Sequence, residues 1–235
     1  RYKVARKEVQ LPEYSKNVLD CFVKHYPPEW LNDGITKEAM DVFDISYSIS
    51  QNKIIIPHYD IKGRLVGIRG RALNDWEVEN VGKYAPIRIE NVWYKHPLSM
   101  NLYGLHLTEF DIKESGICFL FESEKSVLLY MSYFGAENSI AVACCGSNIS
   151  AYQIHMLIAA GAKEIIVAFD RDFEEVGDDT HKKQITNFRK LHNKFKNYVQ
   201  LSFICDRNKI TKIKSSPIDE SADKFLQLFK ERIIL

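Results

Sequence analysis

Four acidic side chains in this 235-residue chain are spaced where carboxylates can share a cation. Glu122 directly follows the apolar run Ile117-Cys118-Phe119-Leu120-Phe121, and Asp170 and Asp172 follow Glu164-Ile165-Ile166-Val167-Ala168-Phe169. Asp219 comes later, in Ser216-Pro217-Ile218-Asp219-Glu220. Carboxylates gathered in one place repel one another and hold their protons unless a cation sits between them. Oxygen donors of this kind suit Mg²⁺ or Mn²⁺, which keep waters that phosphate oxygens can replace. Taken singly, each acid has a structural explanation. Glu122 can meet a helix dipole, Asp170 and Asp172 can be loop acids, and Asp219 can be an N-cap. The joint pattern is harder to explain that way: an acid after one apolar strand, Gly146 after the next, Asp-x-Asp after a third.

Such acids need a scaffold, and the second half of the chain predicts one. Residues 117–121 read as a strand covered on both faces. A helix is expected from Glu124 to Phe134, with Val127, Leu128, Met131 and Phe134 on one stripe. A strand over 139–143 follows, then a helix from Ser150 to Ala160 capped by Ser150 and ended by Gly161. After the strand at 164–169, a long amphipathic helix is expected from His181 to Tyr198, with Ile185, Phe188, Leu191 and Phe195 inward, and a fourth strand over 201–204. Strands alternating with helices imply a parallel α/β sheet with right-handed crossovers. Functional groups in such sheets collect at the carboxyl ends of the strands.

The first third predicts a helix over 14–24, carrying Val18, Leu19, Phe22 and Val23, and a short helix after Thr36 as N-cap. Lys53-Ile54-Ile55-Ile56-Pro57 and Leu65-Val66-Gly67-Ile68-Arg69 read as paired strands joined by a turn at Gly63.

Net charge is +1, but its distribution is uneven. Residues 111–180 carry 4 basic and 12 acidic residues, while 181–214 carry 10 and 1. An acidic block followed by a basic one suits divalent cations beside a polyanion, although solvated helix faces give the same count. Lys182, Lys183, Lys190, Lys194 and Lys196 read as the wet side of their helix. The five cysteines form no Cys-x-x-Cys pair and the seven histidines have no ligand spacing, so no zinc site is expected in this chain. Cys144 and Cys145 read as buried thiols. No apolar run approaches bilayer length, and Arg1-Tyr2-Lys3-Val4 lacks the apolar stretch of a secretory signal. No membrane partner and a cytoplasmic setting are therefore expected. Opening on Arg rather than Met, the chain reads as an excised piece of a longer protein.

Phe119-Leu120-Phe121-Glu122-Ser123-Glu124-Lys125-Ser126 resembles the opening Glu motif of the Toprim domain, shared by DnaG primases, type IA and II topoisomerases and related nucleases. Ala143-Cys144-Cys145-Gly146-Ser147 is similar to its glycine turn, and Ala168-Phe169-Asp170-Arg171-Asp172 to its Asp-x-Asp motif. Upstream, Ile56 to Leu73, Gly82-Lys83-Tyr84, Tyr94-Lys95-His96 and Asn101-Leu102-Tyr103-Gly104-Leu105 resemble, in order and spacing, the DnaG polymerase segment before Toprim. The likeness covers roughly residues 30–225 and is nearer to phage or mobile-element primases, whose third acidic motif Lys214-Ser215-Ser216-Pro217-Ile218-Asp219 resembles. Ser123 departs from the usual glycine, and Ser126 and Ser215 from the usual aspartates, which bears on how many metals bind.

This resemblance implies a Toprim α/β domain at 111–212 with flanking helices, preceded by a smaller mixed α+β basic subdomain at 1–110 and followed by an acidic-motif loop and helix at 213–235. It implies RNA primer synthesis by nucleotidyl transfer on single-stranded DNA during replication, with Glu122, Asp170 and Asp172 catalytic and, with Asp219, holding Mg²⁺ or Mn²⁺. Lys53, Arg69, Arg71, Lys83 and Lys95 are the cations expected to meet nucleotide or template, Arg71 and Lys83 foremost, though a solvated strand face explains Arg69 as well. Ribonucleoside triphosphates and a replicative helicase are the further partners implied; the family's zinc-binding domain would lie upstream of Arg1. Two other readings stay open: a degenerate Toprim protein that binds DNA or a helicase, and a Toprim nuclease.

Overall fold

The computed structural model describes residues 10–235; the reading of Arg1 to Val4 falls outside them. Two five-stranded sheets are built in succession. The first contains β1 (Ser46–Ser48), β2 (Lys53–Tyr59), β3 (Leu65–Ala72), β4 (Tyr84–Ile89) and β5 (Val92–Tyr94), each antiparallel to the next. Short helices α1 (Pro28–Asn32), α2 (Lys37–Val42) and α3 (Asp75–Asn80) accompany it. The β2–β3 turn is closed by Asp60, whose Oδ1 accepts the amides of Lys62 (3.0 Å) and Arg64 (2.9 Å), while Gly63 takes a φ of 72° that a side chain would resist. Thr36 caps α2 as expected, accepting the Ala39 amide at 3.2 Å.

The helix expected over 14–24 is instead a 3₁₀ turn at Lys16–Cys21. Both flanks are pinned to the sheet: Tyr14 donates its amide to Leu65 O, and Val23 pairs with Tyr47. Too little chain remains between these anchors for a multi-turn helix, yet Val18, Leu19 and Phe22 still pack on Ile55, Tyr59, Leu65 and Ile68.

The second half alternates as its periodicity predicts: α4 (Leu105–Ser115), β6 (Ile117–Phe121), α5 (Glu124–Phe134), β7 (Ala141–Ala143), α6 (Ala151–Ala159), β8 (Glu164–Ala168), α7 (Asp179–Phe195), β9 (Gln200–Phe203), α8 (Ala222–Lys230) and β10 (Ile233–Ile234). The sheet order is β10-β9-β8-β6-β7, parallel throughout except for β10, which the sequence reading did not anticipate. Helix α4 runs through position 110, so continuous helix, not linker, leads into β6.

Strand alternation sends side chains to two cores. Cys118, Leu120, Ile165 and Val167 face α4, α6 and α7. Phe119, Phe121, Ile166 and Ala168 face α5, α8 and α2, in a cluster that also takes Ile54 and Ile56 from β2. The second cluster is what joins the two sheets. Burying its aromatics and aliphatics is worth roughly 1.5–3 kcal/mol each, far more than the polar contacts across the same junction.

Candidate functional site

Strands β6 and β8 are neighbours in register, Phe121 beside Ala168, so Glu122 and Asp170 leave the same edge of the sheet. The chain goes from β6 to β7 on one side and returns to β8 on the other. Loops therefore diverge at the carboxyl end of β6, the place where sheets of this kind bind ligands. Burial and then the Asp172 charge raise the pKa of Glu122, partly offset by the Asp170 amide. Asp170 is pushed up to about 7 by burial and by Glu122, Asp219 and Asp172, against a smaller pull from Lys83. Its Oδ1 is buried without a hydrogen-bond partner. The charges of the other three acids expected from the sequence thus all act on Asp170, and Asp172 is the exposed member. An orphan carboxylate oxygen among mutually repelling acids fits a divalent cation with oxygen ligands.

Asp219 reaches this edge because the loop before it is fastened to the Asp-x-Asp segment. The Arg171 amide donates to Ser215 O (3.1 Å) and Lys214 donates back to Arg171 O (2.7 Å). The buried guanidinium turns away from the acids and donates to Thr211 O and Phe173 O. Asp206, 3.7 Å from it, accepts the amides of Ile210 (2.9 Å) and Thr211 (2.7 Å). Asp219 itself accepts the Ser216 amide through Oδ2 (2.9 Å) and Lys125 Nζ through Oδ1 (3.3 Å). Sequence reasoning passed over Arg171. An arginine between two site acids, followed by apolar Phe173, was the available signal.

A basic wall faces the acids. Arg69 and Arg71, two apart on β3, point to one side. Arg71 donates to Tyr84 Oη (2.9 Å) and stacks over the Tyr84 and Trp30 rings. Lys83 keeps solvent access, yet the protein around its ammonium and the nearby charges of Arg71 and Lys125 lower its pKa, against Asp219 and Asp170. It lies between the two walls. Lys95 is exposed, Lys53 is ion-paired with Glu77, and Arg69 is ion-paired with Glu124 at 2.5 Å.

Glu124, fully buried, was not singled out by the sequence. Burial alone would raise its pKa, but Arg69 and His58 outweigh it and bring the carboxyl down to about 2. His58 Nε2 lies 3.1 Å from the same Oε1 that Arg69 holds, and the other oxygen is unpartnered. Cys145 is close by, its thiol kept neutral by burial and by the Glu124 charge. Burial likewise pushes Cys144 up to about 12, so neither cysteine is a ready nucleophile. Ser123 and Ser126 hydrogen-bond each other at 3.2 Å. The α7 lysines are exposed, as their spacing predicts. Among the described residues no helix is long and apolar enough to cross a membrane.

The fold, an antiparallel sheet followed by a mostly parallel one with flanking helices, is that of DnaG-type primase catalytic cores. The Aquifex aeolicus primase (zinc-binding and RNA polymerase domains) superposes with a TM-score of 0.69 at 18% identity, over 93% of this chain and 60% of that one. A DnaG primase catalytic domain bound to single-stranded DNA gives 0.65 at 16%, over 93% and 77%. In sequence, the chain is 32% identical to the SPbeta prophage-derived uncharacterized protein YorJ of Bacillus subtilis (strain 168), over 99% of this chain and 64% of that protein. The chain therefore spans under two thirds of YorJ and of the Aquifex protein. No family model matches it.

Proposed function

We propose that this chain is a primase polymerase core that joins ribonucleotides on single-stranded DNA, with 111–212 as its Toprim domain, 1–110 as the basic subdomain and 213–235 as the acidic-motif tail. The observation that carries this reading is the buried, unpartnered Asp170 Oδ1 at an edge shared with Glu122, Asp172 and Asp219 and faced by Lys83. Glu122, Asp170, Asp172 and Asp219 would hold Mg²⁺ or Mn²⁺, which neutralises triphosphate charge and lowers the pKa of an attacking hydroxyl.

The protein's own groups do the rest by positioning and electrostatics. Lys83 and Arg71 meet phosphate oxygens, the first as a point charge and the second as a fork. Lys95, exposed on the same subdomain, meets the template backbone. Lys53 and Arg69, already ion-paired inside the fold, support the wall instead of touching the polyanion. Glu122, with its raised pKa, accepts the hydroxyl proton or completes the metal's ligands. The single-stranded DNA on the similar DnaG domain supports the template assignment; a replicative helicase is the further partner in this proposal.

The test is primer synthesis on single-stranded templates with Mg²⁺ or Mn²⁺. Incorporation by the unaltered protein that disappears in Asp170→Ala supports the reading. Incorporation that persists in both Asp170→Ala and Glu122→Ala removes the site, and DNA binding with no incorporation points to the degenerate Toprim reading that Ser123, Ser126 and Ser215 allow.

A further inference from the structure

The cluster of His58, Glu124 and Cys145 lies behind the acidic edge, with one donor atom from each residue within 4.8 Å of the others. A Cys/His/Glu set of this kind matches zinc chemistry. One fact argues against a metal there. The Arg69 guanidinium already sits 2.5 Å from Glu124 Oε1, in a space where Arg69 and Glu124 side chains are 13% and 1% exposed. A dication added beside it would leave net positive charge in a buried site, where unpaired charge costs several kcal/mol. Arg69 supplies the cation itself.

The pair connects elements that matter to the site. Arg69 belongs to β3, two residues before Arg71. Its guanidinium also donates to Tyr84 O (3.4 Å) and lies over the Tyr84 ring, next to Lys83. Glu124 opens α5, two residues after Glu122. His58, from β2, reaches the same oxygen. Two strands, β2 and β3, and helix α5 thus meet at one carboxylate, joining both halves of the fold.

We infer that Glu124 is a positioning residue: with Arg69 it forms an internal strut that sets Arg71 and Lys83 at working distance from the acidic edge. This rests on the primase reading and adds to it the residue pair that sets nucleotide affinity. Glu122 and Asp170 are placed by the β6–β8 backbone register instead, so the strut governs the phosphate-binding wall and leaves the metal ligands alone.

The decisive variant is Arg69→Met with Glu124→Leu. Replacing both members of a buried ion pair with apolar side chains of similar size is often neutral for folding. Glu124→Gln, which keeps shape and loses charge, carries the same readout should the double variant not fold. Mn²⁺ affinity, thermal midpoint, and KM and kcat for ribonucleotides are measured on each. The double variant is expected to keep its midpoint, and Glu124→Gln, which leaves Arg69 buried without its counter-charge, to lower it. In both, Mn²⁺ affinity stays within about twofold and KM for the nucleotide rises about tenfold, a loss of roughly one contact to a charged group. A KM equal to that of the unaltered protein overturns the strut alone. Stoichiometric zinc in the purified protein that is lost in Cys145→Ser also overturns it. An unaltered protein that neither binds Mn²⁺ nor incorporates nucleotide brings down the primase reading, and the strut with it.

Discussion

Arg171 and Thr211 are joined by two hydrogen bonds to one carbonyl oxygen, from Nε at 3.2 Å and Nη2 at 2.8 Å. The bond matters because Arg171 lies between Asp170 and Asp172, and Thr211 lies on the loop that delivers Asp219. A buried guanidinium with the Thr211 and Phe173 carbonyls and the Asp206 carboxylate around it ties two acid-bearing segments together.

Removing that tie should loosen Asp219 first. Arg171→Ala leaves Asp206 without its buried counter-charge and the Thr211 and Phe173 carbonyls without their donor, at a cost of roughly 3–5 kcal/mol. Arg171→Lys keeps the charge and loses the fork, so it should unfold less readily than Arg171→Ala yet bind Mn²⁺ several-fold more weakly than the unaltered protein. Denaturant melts and Mn²⁺ titration together test this; an Arg171→Lys protein with full Mn²⁺ affinity contradicts it.

The acidic edge sets a pH dependence of stability. In the fold Asp170 rises from 3.8 to about 7, and Glu122 rises as well. A raised acid stabilises fully below its ordinary pKa, and that contribution is lost as pH rises through the folded value. Glu124 runs the other way, and its contribution is lost only as pH falls toward about 2. Between about pH 4 and pH 7, then, these acids take stability from the metal-free protein as pH rises. His58, His96 and His106, their pKa values lowered chiefly by burial, add stability as pH rises toward 6.5. Asp170→Asn isolates the acid share: it should remove the loss that Asp170 brings and raise the thermal midpoint at pH 8 by roughly 3–6 °C, about 1–2 kcal/mol. Mn²⁺ should reverse that loss, since its ligands are the ionised carboxylates. A calorimetric pH series in chelator reads this directly.

Lys83 should matter to nucleotide binding and little to folding. It is exposed and makes no ion pair among the described residues, yet it sits between Arg71 and Asp170. Lys83→Met should raise the nucleotide KM by about 10-fold or more, the worth of one hydrogen bond to a charged partner, with the thermal midpoint unchanged. Primer-synthesis kinetics and a melt on the same sample decide it.

Ser150 offers a test of the scaffold alone. Its hydroxyl accepts the Gln153 amide at 3.0 Å while the Gln153 side chain accepts the Ser150 amide at 2.9 Å, and Ser150 also donates to Ser99 O. Ser150→Ala should cost about 1 kcal/mol, a drop of roughly 2–4 °C in Tm, and leave Mn²⁺ affinity intact.

The sequence by itself determined what depends on near neighbours along the chain. Helix α5 begins at Glu124 and ends at Phe134, as its stripe requires, and β6, α6 with its Ser150 cap, and the acids after β6 and β8 follow from period, capping and strand ends. These are legible because helix and strand periodicity and caps act over a few residues. Only the tertiary structure decided which distant side chains meet. Glu124 finds Arg69 across 55 positions and His58 across 66, Lys53 is claimed by Glu77, and β10 closes against β9. The turn at Lys16–Cys21 belongs with these, because its anchors on Leu65 and Tyr47 lie far along the chain. Linear spacing carries no record of how two sheets will face, and a buried charge takes its partner from whichever side chains that packing brings within reach.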